Sequence, residues 1–375
     1  MLTSLEIKNF RAFSHLVIER LGRVNLIVGK NNVGKTTLLE ALQICGSTSV
    51  PSTIRSILEA RSEVRSSADL TPAGESRPKF VISSLFHGRD VWPNNEASIG
   101  VRAVDADIYE WLFETQIVDQ TGDRCLTVDL NPIGRRSVFF SDGSAKTADN
   151  LPEEWSFLPV NPPILLGEIS NQETESLVAT WWDATWLSDG KVPVLNLLKS
   201  LAPVRDVIFV RDPFDSTMRI ARVQTENFKD PIPLASMGGG ATRLFHIALA
   251  MEFARHRVSR IEEAPEGPGP RLSLGSRDLY SFVLIDEVDT GIHHTMHRDL
   301  WRFIFQAARS LDVQIFATTH SLDCLRGFAE AAAEDEEADA QVIRLERVEG
   351  ENQTGAVVID REGLPIVIRD SIEVR

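Results

Sequence analysis

Residues Gly29–Lys30–Asn31–Asn32–Val33–Gly34–Lys35–Thr36 satisfy G-x-x-x-x-G-K-[ST] in full, and no other feature restricts the fold as much. The flanks agree with the loop. Val24–Val28 is a short apolar run that stops at glycine, as a buried strand does, and Leu38, Leu39, Leu42 and Cys45 recur at helical spacing after it. Gly29 and Gly34 let the backbone fold into a nest whose N–H groups face an anion, and the following helix turns its positive end to the same place. Lys35 is then placed for the β- and γ-phosphates of a nucleoside triphosphate and the Thr36 hydroxyl for Mg²⁺. Asn31, Asn32, Val33 and Thr37 complete the expected binding set, with ATP and Mg²⁺ as the expected ligands.

Such a loop needs a second strand bearing carboxylates. Phe282–Ile285 followed by Asp286 and Glu287 supplies four apolar residues and then two acids. Ligands of parallel α/β sheets collect at the carboxyl ends of strands, so both acids are expected beside the phosphates. Asp286 is the candidate Mg²⁺ partner and Glu287 the candidate general base. A third strand, Val313–Thr318, delivers His320 to the same edge, where it is the candidate γ-phosphate contact. Lys35, Glu287 and His320 form the expected catalytic set.

Around this frame the chain alternates strands and helices. Residues 1–18 read as a hairpin and 47–79 as helix fragments and loop. Short β-rich pieces from 80 to 160 read as a mostly antiparallel lobe. A helical pattern over 170–203 carries Trp181, Trp182 and Trp186, expected to fill the core where lobe meets nucleotide half. Strands are expected at 204–210 and 219–223. The glycines at 238–240 open a long amphipathic helix, 264–276 is a loop, and a β pair lies near Val342–Leu345 and Val357–Ile359. The acidic run 330–339 reads as a solvated helix end or loop.

Bulk properties narrow the partners. The 375 residues carry a formal charge of −15 and a pI near 5.1, unsuited to coating nucleic acid with the whole surface. Local basic groups, Arg55, Arg61 and Arg65 or Arg135–Arg136, leave nucleic acid open as a partner. Cys45, Cys125 and Cys324 stand far apart, which fits neither a disulfide framework nor a zinc ribbon. With no continuous apolar span and no leader-like start, the chain is expected to be cytoplasmic with no membrane partner. His293, His294 and His297 form an H-H-x-x-H cluster. A zinc site there would need further ligands that the spacing does not supply, so a helix is the better explanation.

Leu234–Ala235–Ser236–Met237–Gly238–Gly239–Gly240, at a helix start before the acidic strand, offers backbone N–H groups and a hydroxyl to a second phosphate. Because Lys35 already has its own anion-binding helix, this second one is more useful capping a nucleotide held by another copy. Taken together, IKNFRAF (7–13), the loop at 29–36, PLASMGGGATRLFHIALAM (233–251), VLIDEVDTGIHH (283–294) and VQIFATTHSLDCL (313–325) make the chain resemble the ABC-type AAA family ATPases. These are related to RecF, SMC heads and the overcoming-lysogenization-defect (OLD) nucleases, and the likeness is strongest to short stand-alone forms without a Toprim domain. The order of these motifs spans almost the whole chain.

The resemblance implies an α/β P-loop NTPase: an ABC-ATPase-like head with a mostly parallel central sheet, an N-terminal antiparallel β subdomain and an inserted α/β lobe. It implies one head over 1–375, divided into hairpin and P-loop (1–46), lobe (47–230) and signature, Walker B and switch-histidine half (231–375). Ser236, Gly238 and Gly240 would be signature contacts made in trans, Asp289 and Gly291 a D-loop, and His320 the switch histidine. Two departures are visible: the signature reads SMGGG instead of LSGGQ, and no glutamine stands at 80–87 where the Q-loop should fall. The implied activity is ATP hydrolysis in a homodimer or higher oligomer. It would act as a switch for a separate effector, a nuclease among the candidates, in DNA maintenance or anti-phage defence. The alternative left open is a nucleotide-gated scaffold that positions the effector with turnover incidental.

Overall fold

The structure, a computed structural model, describes residues 1–47, 50–65, 79–89, 96–103, 108–118, 123–131, 135–140, 145–149, 164–166, 172–186, 191–201, 204–212, 215, 219–262, 281–348 and 353–365. The loop expected at 264–276 lies outside them. The organising element is a six-stranded sheet. Its strands are β3 (Val24–Gly29), β11 (Ile164–Leu166), β15 (Ser281–Ile285), β16 (Val313–Thr318), β17 (Ala340–Arg347) and β18 (Thr354–Asp360). They run in the order β11-β15-β16-β3-β17-β18, parallel throughout except for β18, which returns antiparallel to β17.

Apolar residues alternate between its two faces, as the pleat requires. Val24, Leu26, Val28, Val283, Ile285, Ile315 and Val342 enter one core, with α5 (Gly239–Glu262), α6 (His297–Ser310) and α7 (Leu322–Glu334). Ile27, Phe282, Leu284, Phe316, Ile343 and Leu345 enter the other, with α1 (Lys35–Cys45) and α2 (Val50–Ala60). A strand buried on both faces reads as a continuous apolar run, and that is why β3, β15 and β16 were legible.

The second core is closed by an antiparallel sheet ordered β10-β9-β8-β7-β6-β1-β2. Its strands are β1 (Leu2–Phe10), β2 (Phe13–Ile18), β6 (Glu96–Ala103), β7 (Ile108–Val118), β8 (Asp123–Asn131), β9 (Arg135–Phe140) and β10 (Ala145–Asp149). The N-terminal hairpin and the strands of the 80–160 region are therefore one continuous sheet, joined where β1 pairs with β6. On the opposite side, α3 (Gln172–Trp186), α4 (Lys191–Leu201) and a small sheet of β12 (Val204–Arg211), β13 (Arg219–Thr225) and β14 (Ile232–Pro233) pack around α5. A two-stranded ribbon, β4 (Val64–Arg65) with β5 (Lys79–Phe80), completes the set.

Three expectations change in detail. The helix at 239–262 is not amphipathic along its first half, because Arg243 through Glu252 are buried on every side by the central sheet, α3 and α4. Of the tryptophans, Trp181 and Trp182 are core residues, while Trp186 is half exposed and carries Lys191 Nζ 3.4 Å above its ring. The acidic run ends α7 as expected, but Glu334 and Asp335 are ion-paired to Arg302 and Arg309 of α6.

A buried ion cluster fastens the β1–β2 turn to α1 and to the segments at 61–63 and 84–89 at the edge of the second core. Arg11, in the left-handed turn between β1 and β2 (φ 49°), sits 3.0 Å from Glu40 of α1 and 2.9 Å from Glu63. Arg61 reaches Glu40, and Ser84 and Arg89 reach Glu63. Burial raises the Glu40 carboxyl above its ordinary range, while Arg11 and Arg61 pull it back. Substituting Arg11→Met leaves two buried carboxylates short of a partner. It is expected to lower stability by about 3 kcal/mol, the lower end for breaking a buried pair because Arg61 and Arg89 remain. Urea melting of the variant against the parent measures this, and an unchanged midpoint would refute it.

Candidate functional site

The loop between β3 and α1 is shaped by backbone conformations that only some residues accept. Gly29 has φ +145°, Asn32 φ 65° and Gly34 φ 112°. A Cβ at Gly29 would lie 2.4 Å from the Leu345 carbonyl oxygen, and one at Gly34 would lie 2.7 Å from the Phe13 ring. Both glycines are thus required by conformation and by space. Lys30, Asn31, Asn32 and Thr36 are exposed, whereas Val33, Lys35 and Thr37 are buried. The Thr354 hydroxyl donates to the Val33 carbonyl, so β18 props the loop from outside.

Lys35 folds its ammonium back to the carbonyls of Gly29 (2.7 Å) and Lys30 (2.9 Å). Burial pushes its pKa down to about 8, and Asp286 and Glu287 oppose the shift. A desolvated ammonium held on the carbonyls of a glycine-shaped loop has the charge that an anion-accepting cradle needs.

The acidic pair stands opposite. Thr318, at the end of β16, donates its hydroxyl to Asp286 Oδ1 (2.5 Å) and accepts the Glu287 backbone N–H (2.8 Å). Thr36 donates to Asp286 Oδ2 at 3.2 Å. Glu287 itself is left-handed (φ 47°), a conformation that costs a non-glycine residue roughly 1–2 kcal/mol. Its neighbours hold it there: Val288 N–H donates to the Thr318 carbonyl, and Arg243 of α5 donates to the carbonyls of Asp286 (2.5 Å) and Glu287 (3.1 Å). The Glu287 carboxylate is exposed and accepts a hydrogen bond from Thr290.

His320 follows two residues later. Its pKa is lowered by partial burial and then by Lys35, so the ring is neutral at neutral pH. Thr319 donates to Asp289 (2.6 Å), tying the residues after β15 to those after β16. Lys35, Thr36, Asp286, Glu287 and His320, chosen from three separate segments, therefore share one edge of the sheet, at the carboxyl ends of adjacent strands.

Ser236, Gly238 and Gly240 stand elsewhere, in the turn Leu234–Met237 and the start of α5. Ser236 and Gly238 are exposed; Gly238 is left-handed (φ 96°), and a Cβ there would meet nothing within 4 Å. Gly239 and Gly240 pack on Gly291, whose φ is 76°. The three histidines part company: His293 is exposed with its ring 4.2 Å from that of His294, and His297 is buried against Gly327 of α7. Sequence reasoning missed Arg243, Thr318 and Thr319. An arginine in the stretch 243–251, apolar otherwise except for His246, was the available signal for the first, and hydroxyls flanking a strand end for the others.

The residues present fit a nucleoside triphosphate with Mg²⁺. The cradle is one that a Cβ would fill, a desolvated lysine lies within it, and hydroxyl and carboxylate oxygens of the kind Mg²⁺ prefers face it.

Comparison with known proteins agrees with this architecture. A family model described as "AAA ATPase domain" matches residues 1–86. A protein from Helicobacter pylori named ATP/GTP phosphatase is 22% identical over 356 residues, covering 86% of this chain and 85% of that one. An uncharacterised protein of Methanocaldococcus jannaschii, MJECL10, is 48% identical over 44 residues, which is 12% of this chain and 20% of that protein. Among solved structures, the Smc head domain with an extended coiled coil bound to the C-terminal domain of ScpA, from Pyrococcus furiosus, aligns over 99% of both chains. Its TM-score is 0.49 and its identity 12%.

The site's charge state can be checked directly. The native state binds fewer protons than the unfolded chain between pH about 8 and 10.5, so the cost of the desolvated Lys35 charge is full below pH 8 and fades as pH rises. The stability of Lys35→Met relative to the parent is expected to be greatest at neutral pH and to fall on going from about pH 7 to about pH 10 in urea melts. A difference that stays flat would mean the ammonium is solvated. A second family model, described as "AAA domain, putative AbiEii toxin, Type IV TA system", matches residues 128–325, more than half of the chain, and the chain belongs to this AAA domain family.

Proposed function

We propose that the chain binds ATP with Mg²⁺ in the loop 29–36, completes the site with the Ser236–Gly240 turn of a second copy, hydrolyses the nucleotide, and uses closing and opening of that dimer as a switch for a separate effector. One observation carries the reading: the buried Lys35 ammonium and the Asp286–Glu287 pair face each other at the carboxyl ends of two parallel strands separated only by β16, 250 or more residues apart in sequence. An ATP/GTP phosphatase among the relatives supports the reaction. A family description naming a toxin–antitoxin system supports a setting in which the switch acts on another protein, a nuclease among the candidates, in defence or DNA maintenance.

Each group has a distinct task. The loop N–H groups and Lys35 hold the β- and γ-phosphates and neutralise charge as the terminal phosphoryl leaves. Thr36 and Asp286 would hold Mg²⁺, which supplies electrostatic stabilisation of the phosphate oxygens. Glu287, exposed and aimed by its left-handed backbone, orients the attacking water and takes its proton. Neutral His320 offers one ring N–H to the γ-phosphate. Ser236 and Gly238, with open space before them, present a hydroxyl and backbone N–H groups to the phosphate of the second copy.

The test separates binding from turnover. Glu287→Gln is expected to keep ATP binding, lower phosphate release by roughly 10²–10⁴-fold, and accumulate a dimer on a light-scattering column. Lys35→Ala is expected to lose nucleotide binding and the dimer together. A Glu287→Gln protein that stays monomeric with ATP and Mg²⁺ would overturn the shared site. An effector that needs Lys35 but ignores Glu287 would instead favour a nucleotide-gated scaffold.

A further inference from the structure

Helix α5 begins in the turn proposed to reach a second copy, yet within its first turns it is fastened to the acidic strand end of its own chain. The fastening has two parts. Arg243, 1% exposed, extends its guanidinium to the carbonyl oxygens of Asp286 and Glu287, at 2.5 and 3.1 Å. A little nearer the helix start, Gly239 and Gly240 lie against Gly291, where a Cβ on Gly240 would come within 3.1 Å of the Gly291 carbonyl oxygen.

Between these contacts lies Glu287, and its backbone is where the geometry is most demanding. The residue is left-handed without being glycine. Thr318 holds its N–H and the following N–H, through the hydroxyl and carbonyl respectively, and Arg243 holds its carbonyl and the one before. Each of the two peptides flanking Glu287 carries two of these four bonds, so rotation of either one breaks a contact to Thr318 and a contact to Arg243. Thr318 belongs to the rigid, fully buried β16, whereas Arg243 belongs to a helix whose leading end is exposed. Of the two grips on Glu287, only the one from Arg243 can shift when something pushes on Ser236 or Gly238.

We infer that Arg243 is a positioning residue: one nitrogen of its guanidinium, Nη2, holds the Glu287 backbone in the conformation that aims the carboxylate, and makes that aim depend on where α5 sits. This rests on the proposed hydrolytic reading of the site. Contact of Ser236 and Gly238 with the nucleotide of a second copy then adjusts Glu287 of the same chain, which serves that chain's own nucleotide. The two sites of a dimer are linked through each chain's interior, and each general base is set by the occupancy of the opposite site.

Arg243→Gln and Arg243→Lys test this against Glu287→Gln and the parent, with kcat, KM, mant-ATP affinity and melting temperature read for each. Both bonds come from Nη2; Arg243→Lys keeps the buried charge on a shorter side chain without the planar group that sets Nη2 between the two carbonyls, and it decides the matter if Arg243→Gln does not fold. Both are expected to lower kcat on the order of tenfold to a hundredfold, as misplacement of a catalytic group does, with KM and mant-ATP affinity unchanged. A merely structural arginine would lower melting temperature and weaken nucleotide affinity without that split. Mixed dimers assign the direction. With Glu287→Gln and Arg243→Lys on one chain and a parent partner, the opposite site still holds ATP, and the surviving site keeps the partner's own Arg243 and retains half the parent turnover. With the two substitutions on opposite chains, the surviving site has the altered residue behind its own Glu287, and turnover collapses. Equal turnover in the two arrangements, or Arg243→Lys with the kcat of the parent, overturns the inference while leaving the hydrolytic site intact. A parent protein without turnover overturns both.

Discussion

The hydroxyl of Thr318 is the joint on which the candidate site hangs. It donates to the Asp286 carboxylate and accepts the Glu287 N–H, so one buried oxygen at the end of one strand fixes the side chain of the first acid and the backbone of the second. Because β16 lies between β15 and β3, the same strand sets the distance from the acids to the loop that carries Lys35. Two carboxylates beside a desolvated ammonium would otherwise be free to collapse into an ion pair. Here Lys35 is turned back to the Gly29 and Lys30 carbonyls and Asp286 is occupied by two threonine hydroxyls, so both stay poised for ligands. Strain at Glu287 is the local cost, offset by four hydrogen bonds around it.

The rest of the molecule explains why this edge can be rigid. Both faces of the central sheet are covered, one by α5, α6 and α7, the other by α1, α2 and the seven-stranded antiparallel sheet. The second core is built around the P-loop helix. Phe13 lies against Gly34 and Arg11 against Glu40, so the turn of IKNFRAF packs on the phosphate loop from behind. The segment that carries no Q-loop glutamine is tied to the same turn, through the Phe10–Phe86 bridge and a hydrogen bond between the His87 ring and the Arg11 carbonyl. In this chain the lobe touches the nucleotide half through a buried ion cluster, a contact of charge and packing.

Much of this was legible because the chemistry demanded runs of residues. A doubly covered parallel strand must be apolar along its length, and an anion nest must be glycine at fixed places, so β3, β15, β16 and the loop at 29–36 could be read locally. Lys35, Asp286, Glu287 and His320 follow from strand ends alone. What could not be read is set by contacts between distant segments. Arg243 looks like one charged residue on a helix until α5 is seen buried on all sides. Arg11 looks like a surface basic residue until Glu40 and Glu63 are placed around it. The single sheet shared by the N-terminal hairpin and the 80–160 strands was equally hidden, since pairing β1 with β6 spans a strand of the central sheet, two helices and a ribbon.

The position of α5 gives the fold its functional logic. A helix buried along ten consecutive residues cannot tilt without disturbing the sheet, α3 and α4 together, so motion at its exposed start is passed inward and is not absorbed locally. Its first turn meets Gly291 glycine to glycine, at a separation that leaves no side chain to cushion a displacement. Its next turn meets Asp286 and Glu287 through a charged guanidinium. An anion drawn to Ser236 and Gly238 would therefore act on a lever whose short arm ends at the carboxylates. The same sequence that places SMGGG before a strand ending in two acids builds this lever, because the intervening helix has to cross the sheet face beneath them.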